Sequence, residues 1–96
     1  RPETGECVWV LDPAKAQANL RKHRIAFADA VTLFDDSRAL TGRDPDAAGE
    51  ERFISVGKDT FGRVLVLVFT LRADLVRVIS ARRASRSEQR RYAEKP

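Results

Sequence analysis

The chain has 96 residues, of which 43% are hydrophobic and 33% charged, and this composition suits one globular domain. The single cysteine, Cys7, excludes an intramolecular disulfide framework and a multi-cysteine zinc site, and it favours a reducing compartment. No apolar stretch is long enough to span a membrane and no signal peptide is recognisable, so we expect a cytoplasmic protein with no membrane partner. The sequence contains no methionine, so we interpret residues 1–6 as an added or trimmed, disordered N-terminal segment and residues 7–95 as the domain.

The charge of the chain is positive and unevenly distributed. The formal net charge is +4, and 14 of the 18 basic residues are arginines, whose planar fork of donors binds phosphate groups. Residues 72–96 carry eight basic and three acidic side chains, whereas residues 35–51 carry six acidic and two basic ones. This asymmetry predicts a basic surface that meets phosphates or an acidic partner, although an Arg-rich, simply solvated surface has the same composition.

The first half of the chain reads as one strand and two helices. Residues 7–11 are apolar and β-branched, which predicts a strand, and Asp12 followed by Pro13 predicts the start of a helix that runs to His23 or Arg24. A second helix is expected over residues 27–34, a short strand over 39–41 and a loop over 42–49. The inner face of the first helix, from residues at helical spacing, is expected to contain Ala16, Asn19, Leu20 and His23.

The second half reads as a meander of strands closed by a helix. Strands are predicted over residues 51–57, 63–71 and 75–81, joined by turns short enough for antiparallel hairpins. Ser85 and Glu88 form a capping box that opens a helix over residues 85–95. Strict alternation would place Arg82 with Val76 and Val78, and Arg77 on the opposite face with Ala81. The fold class is therefore α+β, with an antiparallel sheet of about four to five strands, two N-terminal helices and a C-terminal helix.

The titratable residues favour chemistry on a substrate that carries its own nucleophile. No pattern supports Cys–His catalysis, close metal-ligand spacing or a Gly-rich phosphate loop. RNA supplies its 2′-hydroxyl, so a protein has only to align it, move protons and neutralise the phosphorane. His23 could move protons or could be a packing histidine, and Arg77 and Arg82 are better site candidates than the arginines of the last helix. Ordinary salt bridging is an alternative role for Glu51 and Arg52.

Three stretches carry a resemblance to a known family. They are WVLDPAKAQANLRKHRIAFADA at 9–30, EERFISVG at 50–57 and RVISARRASRSEQRRY at 77–92. With the strand at 64–70 they cover most of the chain, and they resemble the BrnT toxins, a branch of the RelE-like ribonucleases.

The resemblance implies a toxin of a type II toxin–antitoxin pair that cuts RNA without metal or cofactor and lowers translation. It also implies a BrnA-like antitoxin with a ribbon-helix-helix part, through which alone the toxin meets operator DNA. Arg52, Arg77 and Arg82 would bind phosphate, Lys22 would do so or activate the 2′-hydroxyl, and His23 or Glu51 would move protons. The expected catalytic residues are thus Lys22, His23, Glu51, Arg52, Arg77 and Arg82, and the expected RNA-binding residues are Lys15, Arg63 and Arg83.

One residue departs from the family pattern. The family usually has glycine where this chain has Arg24, directly after the first helix. Glycine there often adopts a left-handed cap, which costs an arginine on the order of 1 kcal/mol, so a different helix end could move His23. This departure and the lack of a self-evident proton-transfer pair motivate one alternative to a ribonuclease, a module that binds RNA or antitoxin without cleavage. A further alternative is a structural protein whose basic face docks an acidic partner.

Overall fold

The computed structural model describes residues 8–45 and 51–94, and the predicted α+β class is confirmed. The proposed N-terminal segment 1–6 and both ends of the proposed domain, residues 7 and 95, lie outside the described residues. In chain order the elements are β1 (Val8–Val10), α1 (Pro13–His23), α2 (Phe27–Ala30), a 3₁₀ helix (Val31–Asp35), β2 (Leu40–Arg43), β3 (Arg52–Lys58), β4 (Val64–Arg72), β5 (Leu75–Arg83) and α3 (Arg86–Glu94).

The five strands form one sheet in the order β1-β5-β4-β3-β2. β2 to β5 pair antiparallel as predicted, but β1 runs parallel to β5, with Val8 opposite Leu75, so the sheet is mixed. The wholly antiparallel expectation was wrong because no hairpin joins β1 to β5, and the direction of β1 is set by long-range packing.

The two faces of the sheet are covered differently. On one face, which we call the core face, Leu65, Leu67 and Phe69 of β4 pack in the hydrophobic core with buried residues of α2 and the 3₁₀ helix. On the other, the outer face, α3 packs against β3 and buries Tyr92, whose hydroxyl donates to Asp36. Because Asp36 also accepts from the backbone of Lys58, α3 lies over the end of the outer face near the β3–β4 turn and leaves the other end open.

A bulge in β5 changes which side chains share a face. Val68 pairs with Ser80 and Phe69 with Val78, so Ile79 is an extra residue in β5. Ala81 is consequently buried in the core with Val76 and Val78, and the predicted alternation is wrong beyond the bulge. The bulge therefore places Arg82 on the outer face together with Arg77, although strict alternation separated them.

Local contacts explain how the first helices begin and end. The side chain of Asp12 accepts from the backbone of Ala14 and Lys15, and Pro13 is the first helical residue, as predicted. Arg24 adopts the left-handed conformation with φ 60° and donates its N–H to Leu20 O.

Three details of the predicted elements were wrong. The second helix is α-helical for only four residues and continues as the 3₁₀ helix. β2 extends to Arg43, into the predicted loop, whose residues 46–49 lie outside the described part. Leu20 is 47% exposed, so the inner face of α1 is narrower than its periodicity predicted.

Candidate functional site

The uncovered end of the outer face is an open cleft of about 850 Å³. Its floor comes from the start of β3, the end of β4 and the start of β5, and α1 forms one wall. Four cations line it, together with one carboxylate, Glu51; the cations are Lys15, Arg52, Arg72 and Arg77. Since low-dielectric walls lined by one sign of charge concentrate counter-ions, the cleft favours an anionic ligand.

A row of three side chains crosses the cleft floor. Arg52 pairs with Thr70, and Thr70 pairs with Arg77, so the two arginines flank a hydroxyl on adjacent strands. Strand spacing places their backbones about 10 Å apart. Arg52 Nη1 lies 3.7 Å from Asp44 Oδ2, and its buried Nε forms no hydrogen bond within the described residues. The row thus offers guanidinium donors on both sides of Thr70.

A smaller pocket of about 210 Å³ continues the cleft along α1. It shares Lys15 and Ile79 with the main cleft and adds Lys22 and His23, the last two residues of α1. Lys22 is exposed and His23 is half-buried. The structure therefore brings Lys22 and His23 to the border of the arginine-lined cleft.

Most of the cleft cations are electrostatically uncompensated within residues 8–45 and 51–94. Lys15, Arg72 and Arg77 form no ion pair there. Glu51 lies 3.4 Å from Arg43, but both side chains are more than 60% exposed, and such pairs contribute little to stability. The charge of these cations is thus available to a ligand.

Comparison with known proteins identifies the family. A family model described as the ribonuclease toxin BrnT of type II toxin–antitoxin systems matches residues 11–88. The chain belongs to the BrnT ribonuclease toxins. The crystal structure of the BrnT toxin of Brucella abortus superposes with a TM-score of 0.63 at 26% identity, covering 80% of this chain and 95% of that one. No curated protein sequence matches the chain.

Arg82 of this BrnT-family chain lies outside the cleft lining and is held by α3. Both terminal nitrogens of its guanidinium donate to Glu88, at 2.8 and 2.9 Å. Glu88 also accepts from the backbone of Ser85, which confirms the predicted capping box. Hydrogen bonds from Arg82 lower the pKa of Glu88 to about 2, and the same bonds raise the pKa of Arg82. Arg82 can therefore meet a phosphate only if the phosphate replaces or joins Glu88.

The two arginines predicted to bind RNA, Arg63 and Arg83, are also outside the cleft. Arg63 lies at the β3–β4 turn, the opposite end of the sheet, where its Nε and Nη2 bind the buried Asp59 at 2.9 and 2.7 Å. Burial alone would raise the pKa of Asp59, but the hydrogen bonds and charge of Arg63 lower it. Arg83 is exposed opposite Leu65, away from the cleft residues. Arg63 is thus a structural residue of the turn.

Sequence reasoning missed Arg72 and Thr70 as cleft residues. Arg72 ends β4 opposite Leu75, and Thr70 is the partner of Arg77. Both could have been found by extending the outward-facing alternation of β4 back from the Ala73–Asp74 turn.

Arg24, which stands where the family usually has glycine, does not change how α1 ends. Arg24 takes the left-handed conformation that a glycine would take, and α1 ends at His23. The concern that this substitution displaces His23 therefore no longer supports a binding-only module.

Within residues 8–45 and 51–94, no helix is long and apolar enough to cross a membrane. Nor does this part of the chain bring three or more His, Cys, Asp or Glu side chains together as metal ligands.

Proposed function

We propose that this BrnT-family toxin is an endoribonuclease that cuts RNA in the basic cleft by attack of the 2′-hydroxyl on the adjacent phosphate, without a metal ion. The observation that carries the proposal is the convergence of four cations from α1, β3, β4 and β5 on one open cleft. Fixed cations act where phosphorane charge develops, and the substrate brings its own nucleophile.

The proposed division of labour follows from position. Arg52 and Arg77 flank the phosphate and neutralise its charge, with Lys15 and Arg72 holding the neighbouring phosphates. Lys22 and His23 border the cleft from α1, and His23 is the first candidate for proton transfer.

The carboxylate of the cleft is the second candidate for proton transfer. Glu51 is exposed beside Arg52, and either Glu51 or His23 can take the 2′-hydroxyl proton while the other group protonates the leaving 5′-oxygen. We keep Arg82 as a catalytic candidate that reaches RNA after exchange of Glu88, and we propose no RNA contact for Arg63 or Arg83.

In the cell, the proposed outcome is reduced translation, relieved by a cognate antitoxin. Type II toxin–antitoxin membership supports a protein antitoxin as partner. We propose a BrnA-like antitoxin with a ribbon-helix-helix part, so that the toxin meets operator DNA only through it. Induced expression should lower labelled-methionine incorporation, and co-expression of the cognate antitoxin should restore it.

The chemistry is tested with a DNA oligonucleotide that contains one ribonucleotide. The antitoxin-free protein, in the presence of EDTA, should cut only after that ribonucleotide and leave a 2′,3′-cyclic phosphate. A 2′-O-methyl group at the same position should block the cut. Cleavage that requires added metal, or that tolerates the methyl group, would contradict the mechanism.

A further inference from the structure

The side chain of Asn19 is the only one of α1 that is buried, and it is polar. Leu20, at the next position, is 47% exposed. The apolar contact of α1 is limited to partly buried residues such as Ala16, which packs against the core. The placement of α1 on the sheet therefore depends on what Asn19 binds.

Asn19 takes the place of a neighbouring strand at the edge of β5. β1 pairs only with the first three residues of β5, up to Arg77. Beyond the bulge, Asn19 Oδ1 accepts from Ala81 N at 3.0 Å, and Asn19 Nδ2 donates to Ala81 O at 2.8 Å. The same Nδ2 donates to Ile25 O at 3.0 Å, just after the left-handed turn that ends α1. All three bonds are buried, where an amide that loses its partners is costly to keep.

The helical spacing connects this anchor to the candidate site. Lys15 lies four residues before Asn19, and Lys22 and His23 lie three and four residues after it, so all four share one stripe of α1. Asn19 also lines the smaller pocket with Lys22 and His23. A shift of α1 along β5 would move those cations relative to Arg77, which β5 itself carries.

We infer that Asn19 is a positioning residue of the cleft: its hydrogen bonds to Ala81 and Ile25 set the position of Lys15, Lys22 and His23 against the arginines of the sheet. The inference rests on the proposed function, since it assigns those residues to RNA. Asn19 itself is 6% exposed and acts through the α1 residues, without contact with the reacting atoms. A misplacement of about 1 Å can lower a rate on the order of 100-fold, so a small shift of α1 is sufficient to abolish most of the activity.

The first test is Asn19→Ala beside the control Ser55→Ala. Ser55 is fully buried on the core face and shares a partly buried 2.7 Å hydrogen bond with Thr41, so its variant also loses an internal hydrogen bond, but on the face of the sheet opposite the cleft. Each protein is assayed at the same number of degrees below its own Tm. We expect Asn19→Ala to lower the single-turnover cleavage rate on the order of 10- to 100-fold and to make the salt dependence of RNA binding shallower by about 1. Ser55→Ala should keep the cleavage rate within about twofold of the wild-type rate and leave the salt dependence of RNA binding unchanged.

The second test separates positioning from general destabilisation and uses the milder Asn19→Ser, so that it remains available if Asn19→Ala does not fold. In a background of Asn19→Ser, adding Lys22→Ala should lower the single-turnover cleavage rate by a much smaller factor than Lys22→Ala does in the wild type, because Lys22 is already displaced. Adding Arg77→Ala in the same background should lower the cleavage rate by the same factor as in the wild type, because strand pairing holds Arg77 in place. The inference would be overturned if Lys22→Ala and Arg77→Ala were equally non-additive with Asn19→Ser, or if both were additive with it.

The two proposals fail differently. A wild-type protein that neither cuts nor binds RNA overturns the proposed function and this inference with it. An active wild type in which Asn19→Ala behaves like Ser55→Ala overturns only the positioning role.

Discussion

The contact between Arg82 and Glu88 makes a quantitative prediction about stability. Glu88 has an ordinary pKa of 4.5, which hydrogen bonds from Arg82 lower to about 2 in the folded protein. At about 1.4 kcal/mol per pKa unit, this shift sets an upper limit of roughly 3.5 kcal/mol on the contribution of the charged carboxylate. The side chains of Arg82 and Glu88 are 43% and 29% exposed, so solvent screening reduces the expected value to about 1–2 kcal/mol.

The test is Glu88→Gln, because glutamine keeps a capping-box acceptor for Ser85 while it removes the charge and one of the two oxygens that accept from Arg82. At pH 7 the variant should unfold at lower urea concentration, with a Tm lower on the order of 5–10 °C. A carboxyl whose folded pKa is depressed stabilises fully above its unfolded pKa and loses that contribution as the pH falls through the folded value. The gap between wild type and variant should therefore be constant above about pH 5.5, shrink below pH 4.5 and disappear near pH 2.

Glu94→Gln, an exposed carboxylate at the other end of the same helix, is the matched control and should change stability by less than about 0.5 kcal/mol. A Glu88→Gln variant as stable as the wild type at pH 7 would refute the reasoning. So would a gap that persists unchanged to pH 2, because its cause would then not be the charge.

Three further predictions follow from single contacts. Arg24→Gly should raise the unfolding free energy in urea by about 0.5–1 kcal/mol, since glycine accepts φ 60° without strain but gains entropy in the unfolded chain, and a less stable variant would contradict the assigned strain. Gly57→Ala should lower it by about 1–3 kcal/mol, because a Cβ there would lie 2.9 Å from Ala39 Cβ, whereas an unchanged urea midpoint would mean that β3 adjusts freely. Binding of single-stranded RNA measured from 50 to 200 mM salt should give a log–log slope of about −3 if all four cleft cations contact phosphates, and a slope near zero would exclude the basic cleft as the binding surface.

Local sequence patterns predicted most of the elements, because their causes are local. Asp12 with Pro13, and Ser85 with Glu88, mark helix starts through hydrogen bonds within a few residues. The apolar run at 64–69 predicted a central strand, and β4 is indeed the middle strand of the sheet, with residues 65–67 buried. Short turns around β4 likewise determined the antiparallel pairing of β3, β4 and β5.

The features that local sequence patterns did not predict, the direction of β1 and the bulge in β5, depend on long-range strand pairing. The parallel direction of β1 depends on its contact with Leu75, more than sixty residues away. The bulge at Ile79 has no glycine to mark it, yet it moves Arg82 to the outer face and Ala81 into the core.

In the candidate site, too, some features were predictable from the sequence and others depend on tertiary contacts. Lys22, His23, Arg52 and Arg77 were named from their residue types and the family resemblance, and the structure brings them to one connected cleft. Arg63 was named on the same grounds but is bound by Asp59 at the far turn. Charge and motif predict that phosphate is bound, whereas tertiary contacts determine which arginines are available to bind it.

The central claim is that RNA is cut in the cleft, and single-turnover cleavage by three proteins tests it most directly. The wild type is compared, with EDTA present, with Arg77→Ala, which removes a cleft cation, and Arg63→Ala, which removes an arginine of the far turn. We predict a loss on the order of 100-fold for Arg77→Ala and less than about threefold for Arg63→Ala, each measured while folded. Equal activity of Arg77→Ala and wild type, or a larger loss for Arg63→Ala, would place the reaction elsewhere on the protein.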